Sequence, residues 1–84
     1  MKLTELKSGD IFTIEDTPTY PKLKISGGYV DIRDEIINKR GNCDHREVSI
    51  LSAADIVKAF DDEYSESDIE DWMASVRIKW AHLL

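Results

Sequence analysis

Cysteine is nearly absent from this chain: one residue, Cys43, in 84. A lone thiol excludes an internal disulfide and fits a reducing compartment. Long apolar runs are missing as well. No stretch approaches the roughly 20 apolar residues of a membrane span. The opening Met1-Lys2-Leu3-Thr4-Glu5 carries charge with no apolar segment behind it, so it does not read as a secretory signal. A cytoplasmic protein without a membrane partner is expected. Basic excess is also lacking, with 11 Lys and Arg against 17 Asp and Glu and a net charge of −6. That balance argues against direct nucleic-acid binding, which needs cations to neutralise phosphates, and against an anionic membrane surface. Internal repeats and low-complexity tails are absent too.

What remains is one domain, 1–84, with ordinary globular composition: 42% hydrophobic and 33% charged residues. A chain of this length buries only about 60% of the surface its unfolded form exposes, so little room is expected for a deep substrate cavity. The charge is uneven. Residues 1–54 hold eight Lys/Arg and nine Asp/Glu, a balance of −1. Residues 55–71 hold eight acids and only Lys58, a balance of −7, and residues 72–84 add Arg77 and Lys79, a balance of +2. The excess sits in one segment.

Residues 1–51 read as mainly β. Ser8-Gly9-Asp10 signals a turn, and Ile11-Phe12-Thr13-Ile14-Glu15 is a β-branched and aromatic run. Thr17-Pro18-Thr19-Tyr20-Pro21 is a stiff connector, because each proline fixes its own φ and biases the residue before it. Lys22-Leu23-Lys24-Ile25 and Tyr29-Val30-Asp31-Ile32-Arg33 alternate polar and apolar residues around Ser26-Gly27-Gly28. This predicts a hairpin whose Gly-Gly pair supplies positive φ angles. Leu23, Ile25, Val30 and Ile32 are then expected on one face, leaving Lys22, Lys24, Asp31 and Arg33 for water. Residues 34–39 fit a helical turn or a continued strand. A loop is expected through Arg40-Gly41-Asn42-Cys43-Asp44, then a strand at 46–51 with Val48 and Ile50 on one face.

Residues 52–84 read as mainly helical. Ser52 and Asp55 fit a capping box, and Ala53, Ile56, Val57, Phe60 and Tyr64 form an apolar stripe. A second box is expected at Ser67 with Glu70. After it Ile69, Trp72, Met73, Val76, Trp80 and Leu83 share a face, with Ile78 off it. Val76, Ile78 and Trp80 also alternate with Arg77 and Lys79, as a strand would. Six stripe positions and a cap favour helix, as do acids leading and Arg77 and Lys79 trailing, in line with the helix dipole.

Candidate chemistry is sparse. Cys43 and His45 would share one side of a strand, but a nucleophile needs a base within reach and a group to orient that base. Zinc needs three or four ligands, and the only other soft donor is His82, far along the chain. A loop leading into a strand is the simpler reading. Gly27-Gly28 does not open a helix and no Gly-Lys-Ser/Thr follows, which excludes a phosphate-binding loop. An EF-hand read from Asp61 fails, with Glu66 where glycine is needed and Trp72 where the bidentate glutamate is needed. An irregular divalent-ion site is the residual alternative to a solvated face. Acid–base work by paired carboxylates needs a cleft that raises one pKa. Trp72 and Trp80 fit core anchors, with Trp80 an alternative interface anchor, and Tyr20 is a candidate exposed contact. No cofactor and no metal is expected.

The opening Leu6-Lys7-Ser8-Gly9-Asp10-Ile11-Phe12, followed by a hairpin, resembles the entry to small SH3-like barrels of bacterial and phage proteins. The resemblance covers about the first third of the chain. It implies a partial barrel and a role in binding proteins or nucleic acids, and it carries over no catalytic residue.

The expected fold is α+β: a small antiparallel sheet or SH3-like partial barrel of four to five strands, followed by two C-terminal helices. The leading functional expectation is a non-enzymatic regulator or inhibitor that binds a protein partner with a basic surface, as monomer or homodimer. In its sharpest form it is a nucleic-acid mimic of the anti-CRISPR or anti-restriction kind, with carboxylates standing in for phosphates. The expected contact residues are Asp61, Asp62, Glu63, Glu66, Asp68 and Glu70. Asp55, Asp68, Glu70 and Asp71 fall in first helical turns, where negative charge is stabilising. Asp61, Asp62 and Glu63 fall at a helix end, where anions are disfavoured by about 0.3–1 kcal/mol each, and Glu66 falls in the connection. These four have no structural reason to be acidic. The alternatives are an accessory subunit assembling through Ile78, Trp80, Leu83 and Leu84, and a small enzyme using Cys43 and His45.

Overall fold

The structure, a computed structural model, describes residues 1–39 and 46–84. Five strands form one antiparallel sheet: β1 (Ile11–Ile14), β2 (Lys22–Ile25), β3 (Gly28–Asp31), β4 (Ile36–Asn38) and β5 (Val48–Ile50), in the order β4-β3-β2-β1-β5. Two helices follow, α1 (Ala53–Ala59) and α2 (Glu66–Lys79), and short 3-10 turns lie at Leu3–Glu5 and Ala81–Leu83. This is the α+β fold expected, with the ambiguous residues 34–39 resolved as a turn and a short edge strand. The loop expected from Arg40 to Asp44 lies outside the described residues.

Strand register explains the core beneath the helices. Ile11 stands opposite Leu23, and Leu23 opposite Val30, so their side chains share one face. These three and Ile25 are buried with Leu51, Ala53 and Ile56, and with Ile69, Met73 and Val76 of α2. Trp72, Trp80 and Leu83 pack against the same cluster, while Ile78 is 76% exposed. The helical stripe, not the strand alternation, therefore governs the C-terminal segment, and α2 runs unbroken to Lys79.

The other sheet face corrects the expectation that it meets water. Phe12 and Ile14 of β1, Tyr29 of β3 and Val48 of β5 form a second buried cluster with Leu3 and Leu6. Phe12 meets Tyr29 edge-on, with ring centroids 5.8 Å apart. All four residues of β1 are buried, so this strand is covered on both sides. The N-terminal strap supplies the cover. Val48 donates its N–H to the Met1 carbonyl at 2.9 Å, and Glu47 pairs with the Met1 ammonium and with Lys2. On the same sheet face Lys22 and Asp31 are only 13% and 25% exposed in their side chains, and they face each other at 3.9 Å. Alternation alone cannot separate a polar residue facing water from one paired within a sheet face that a distant segment helps to cover.

The hairpin turn also differs in detail. Only Gly27 takes a positive φ, 77°. Gly28 is already in β3, opposite Ile25, and a Cβ there would fall 1.9 Å from the Asn38 carbonyl oxygen. One glycine makes the turn and the other admits the backbone of β4.

Helix starts follow serine caps. Ser52 Oγ accepts from the Asp55 N–H at 3.2 Å, and Asp55 Oδ2 accepts from the Ser52 N–H at 2.8 Å, which closes the expected box. The second helix starts two residues earlier than expected: Ser65, not Ser67, is the cap, and its Oγ accepts from the Asp68 N–H at 3.1 Å. Both serines have an acid three residues on. Starting at the earlier one adds helical hydrogen bonds and places Glu66 and Asp68 in the first turn, where the dipole favours them. Arg77 Nε, from the last turn of α2, donates to the Gly9 carbonyl at 2.8 Å, and Lys79 pairs with Glu35 in the β3–β4 turn. The last turn of α2 is thus tied both to the turn before β1 and to the turn between β3 and β4.

Candidate functional site

Where the helices meet, the chain must reverse between Ala59 and Glu66, and this reversal builds the candidate site. Phe60 caps α1, the Asp61 N–H reaches the Lys58 carbonyl at 3.2 Å, and the Asp62 N–H reaches the Val57 carbonyl at 3.0 Å. This pair of bonds is a Schellman motif, whose residue after the cap takes the left-handed conformation. Asp61 and Asp62 adopt it, at φ 55° and 59°. Short polar side chains tolerate that region best after glycine. Asp61 and Asp62 therefore have a conformational role in the turn, and Glu66, expected in the connection, is instead the first residue of α2, where the dipole favours an acid. Conformation explains a short polar residue at 61 and 62. It does not explain the negative charge, since asparagine or glycine would serve.

Beside this reversal lies a cleft of ≈ 590 Å³. Ile56 and Phe60 of α1 and Ile69 and Trp72 of α2 supply one side, Tyr64 stands in the reversal between them, and Asp68 completes the α2 wall. Thr19 and Pro21 from the proline connector, and Ile32 and Arg33 from the end of β3, form the other side. Tyr64 is 47% exposed and meets Phe60 edge-on at 6.2 Å. The Arg33 guanidinium lies over the Tyr20 ring, 5.0 Å from its centroid, a cation–π contact that occupies both exposed side chains. The volume lies within the range of ordinary ligand clefts, and it is an open cleft between elements, not the deep cavity for which little room was expected.

The expected contact residues divide around this cleft. Asp68 lines it; Asp61, Asp62, Glu63 and Glu66 belong to the reversal that borders it; Glu70 is exposed on α2 away from the lining. All six are exposed. Among the described residues, no ion pair involves any acid of 55–71. The ion pairs described engage Glu47, Asp31 and Glu35 instead. Asp55 is held clearly below the usual aspartate range, first by the Ser52 N–H and then by the Ser52 hydroxyl. Its charge is committed to the cap.

Sequence reasoning assigned Trp72 to the core alone and missed Phe60, Tyr64, Ile32 and Arg33 as neighbours across a cleft. The stripe position assigned to Tyr64 lies beyond Ala59, where α1 ends in the structure, so Tyr64 joins the reversal and not a helix face. The C-terminal apolar patch shrinks, because Trp80 and Leu83 pack on the core and Trp80 is flanked by His82 and Lys79. Cys43 and His45 lie outside the described residues, and with them the candidate thiol–imidazole pair. Among the described residues, no group of three or more His, Cys, Asp or Glu converges on a metal position, and no helix is long and apolar enough to cross a membrane. Comparison with protein-family models, characterised proteins and solved structures returned no match.

Proposed function

We propose that this chain is a non-enzymatic protein-binding regulator or inhibitor whose acidic helical face docks on a basic partner surface. The observation that carries the reading is the exposed reversal between α1 and α2, which holds Asp61, Asp62, Glu63 and Glu66 in sequence between and beside the cleft residues Phe60, Tyr64 and Asp68, with no ion pair to any of the four among the described residues. Unpaired exposed charge of one sign raises encounter rates with an oppositely charged surface and fixes orientation on docking. In its sharpest form the acidic face imitates nucleic acid, and DNA or RNA then competes for the partner.

The test compares capture from nuclease-treated lysate by the wild type and by Asp61→Asn/Asp62→Asn/Glu63→Gln/Glu66→Gln, at low and high salt. Asparagine keeps the left-handed turn, so the variant changes charge and not fold. A partner held by the wild type at low salt should be lost with the variant and lost at high salt. Equal capture by both proteins at both salts would remove the acidic-face reading. Added duplex DNA that leaves capture unchanged would remove the mimic alone.

A second reading, assembly through the C-terminal end of α2, keeps one supporting observation: Ile78 is 76% exposed and Leu84 40% exposed. Salt-insensitive self-association in gel filtration, abolished by Ile78→Ser, would favour it.

A further inference from the structure

We infer that the cleft between α1, α2 and the end of β3 is an anchor site for a bulky apolar side chain carried on a lysine- or arginine-rich segment of a partner protein. This rests on the acidic-face reading and deepens it by naming the occupant. Two features of the cleft select that chemistry together. Its walls are aromatic and aliphatic, with Phe60, Tyr64 and Trp72 on the helical side, so the part of an occupant that enters must be apolar. Asp68 stands in the wall on the same side, and the reversal that supplies Tyr64 carries Glu63 one residue before it and Glu66 two after it, all exposed. Among the described residues that line the cleft, the one cation, Arg33, lies over the Tyr20 ring on the opposite side. The charges flanking the anchor are therefore positive on the helical side, and the site orients the incoming segment. Exposed aromatic faces also attract cations that pass over them.

Other occupants meet an electrostatic obstacle. A second copy of this chain brings a net charge of −6 to an acidic border. Nucleic acid brings phosphates to it. A basic amphipathic segment satisfies the wall and the border at once, and docking of an apolar face flanked by charges is a common mode of peptide recognition.

The test uses the full chain and three synthetic peptides of equal length: lysine-rich with a central Phe-Leu pair, the same with Ala-Ala at the centre, and the same Phe-Leu pair flanked by serine. Binding is followed by calorimetry and by the two tryptophan indole N–H resonances. Trp72 lies in the cleft, and Trp80 at the far end of α2 serves as the internal control. The first peptide should bind at least about tenfold more tightly than either of the others and shift the Trp72 resonance but not that of Trp80. Tyr64→Ala, a substitution at an exposed turn residue, should bring the first peptide down to the affinity of the Ala-Ala peptide. If the two lysine-rich peptides bind equally, the anchor site is overturned while the acidic-face reading stands. If the serine-flanked peptide binds as tightly as the first, the basic occupant is overturned and the acidic-face reading with it. If no peptide binds at low salt, both fall.

Discussion

The two faces of the sheet solve the same packing problem with different covers. One face is closed by two helices whose apolar stripes meet Ile11, Leu23, Ile25 and Val30. The other is closed by a strap in which Leu3 and Leu6 reach Phe12, Ile14, Tyr29 and Val48. A helical cover announces itself through periodicity over many residues. A strap has no period, and only two apolar side chains distinguish it from a loose end. The contrast shows that a strand can be buried on both sides in a chain too small for a three-layer sandwich of regular elements. It also shows why β1 is apolar at three of its four positions, with Thr13, the fourth, buried and accepting the Thr17 N–H at 2.9 Å.

The comparison breaks most visibly at its largest side chains. Phe12→Ala in the strap-covered core should cost about 3–5 kcal/mol and Leu23→Ala in the helix-covered core about 2–5 kcal/mol, both read from urea unfolding. Comparable losses would establish the faces as equal partners in one cooperative unit. A loss at Phe12 of under about 0.5 kcal/mol, the usual scale for surface changes, would show that the strap covers nothing of consequence.

Leu3→Ala asks the question of the strap itself. With Leu3 1% exposed, its truncation should cost about 2–4 kcal/mol, and tryptophan fluorescence from α2 should report the same urea midpoint as far-UV circular dichroism. Separate midpoints would make the strap an independent unit.

Smaller effects sharpen the helical side. Ser52→Ala and Ser65→Ala should each cost about 1 kcal/mol by removing a cap. Ser67→Ala, inside the first turn of α2, should stay within about 0.5 kcal/mol. The reverse order for the last two would restore the later helix start.

The smallest expected effect is in pH dependence, and both faces contribute. Glu47, which fastens the strap, is held below the usual carboxylate range, first by the hydrogen bond from the Met1 ammonium and then by Lys2. Asp55, which fastens α1, is lowered by Ser52. A depressed folded-state pKa gives stability that is present above the unfolded value and lost as pH falls through the folded one. Stability should therefore decline on acidification below the ordinary carboxylate range. Glu47→Gln and Asp55→Asn should each flatten that decline in urea midpoints measured against pH. Both groups are fully solvated or nearly so, and added salt should shrink the effect at Glu47 first, since the partners there are charges.

Much of the fold was legible because its signals are local. The hairpin, the Ser52 box and the six-position stripe of α2 each need only neighbouring residues to be recognised. The expectations that failed share a different origin. Lys22 and Asp31 look solvent-facing until the strand register sets them opposite each other as a partly buried pair. Ser67 looks like a cap until Ser65 competes for the same helix. Gly28 looks like a turn residue until the β4 backbone arrives beside it. For the candidate site, the acids were visible as a charge block, but the cleft joins residues from Thr19 to Trp72 across four segments, and no sequence pattern links them.

By itself the sequence determined the class of fold, the positions of most elements and the location of the unbalanced charge. Those properties follow from periodicity, turn chemistry and summed charge, all of which act over a few residues. Tertiary structure alone decided that the sheet has two buried faces, that Asp61 and Asp62 stand in a left-handed turn, and that this turn borders an aromatic cleft. Each depends on which distant segments come into contact, because burial and electrostatic environment belong to the packed arrangement and not to any stretch of chain.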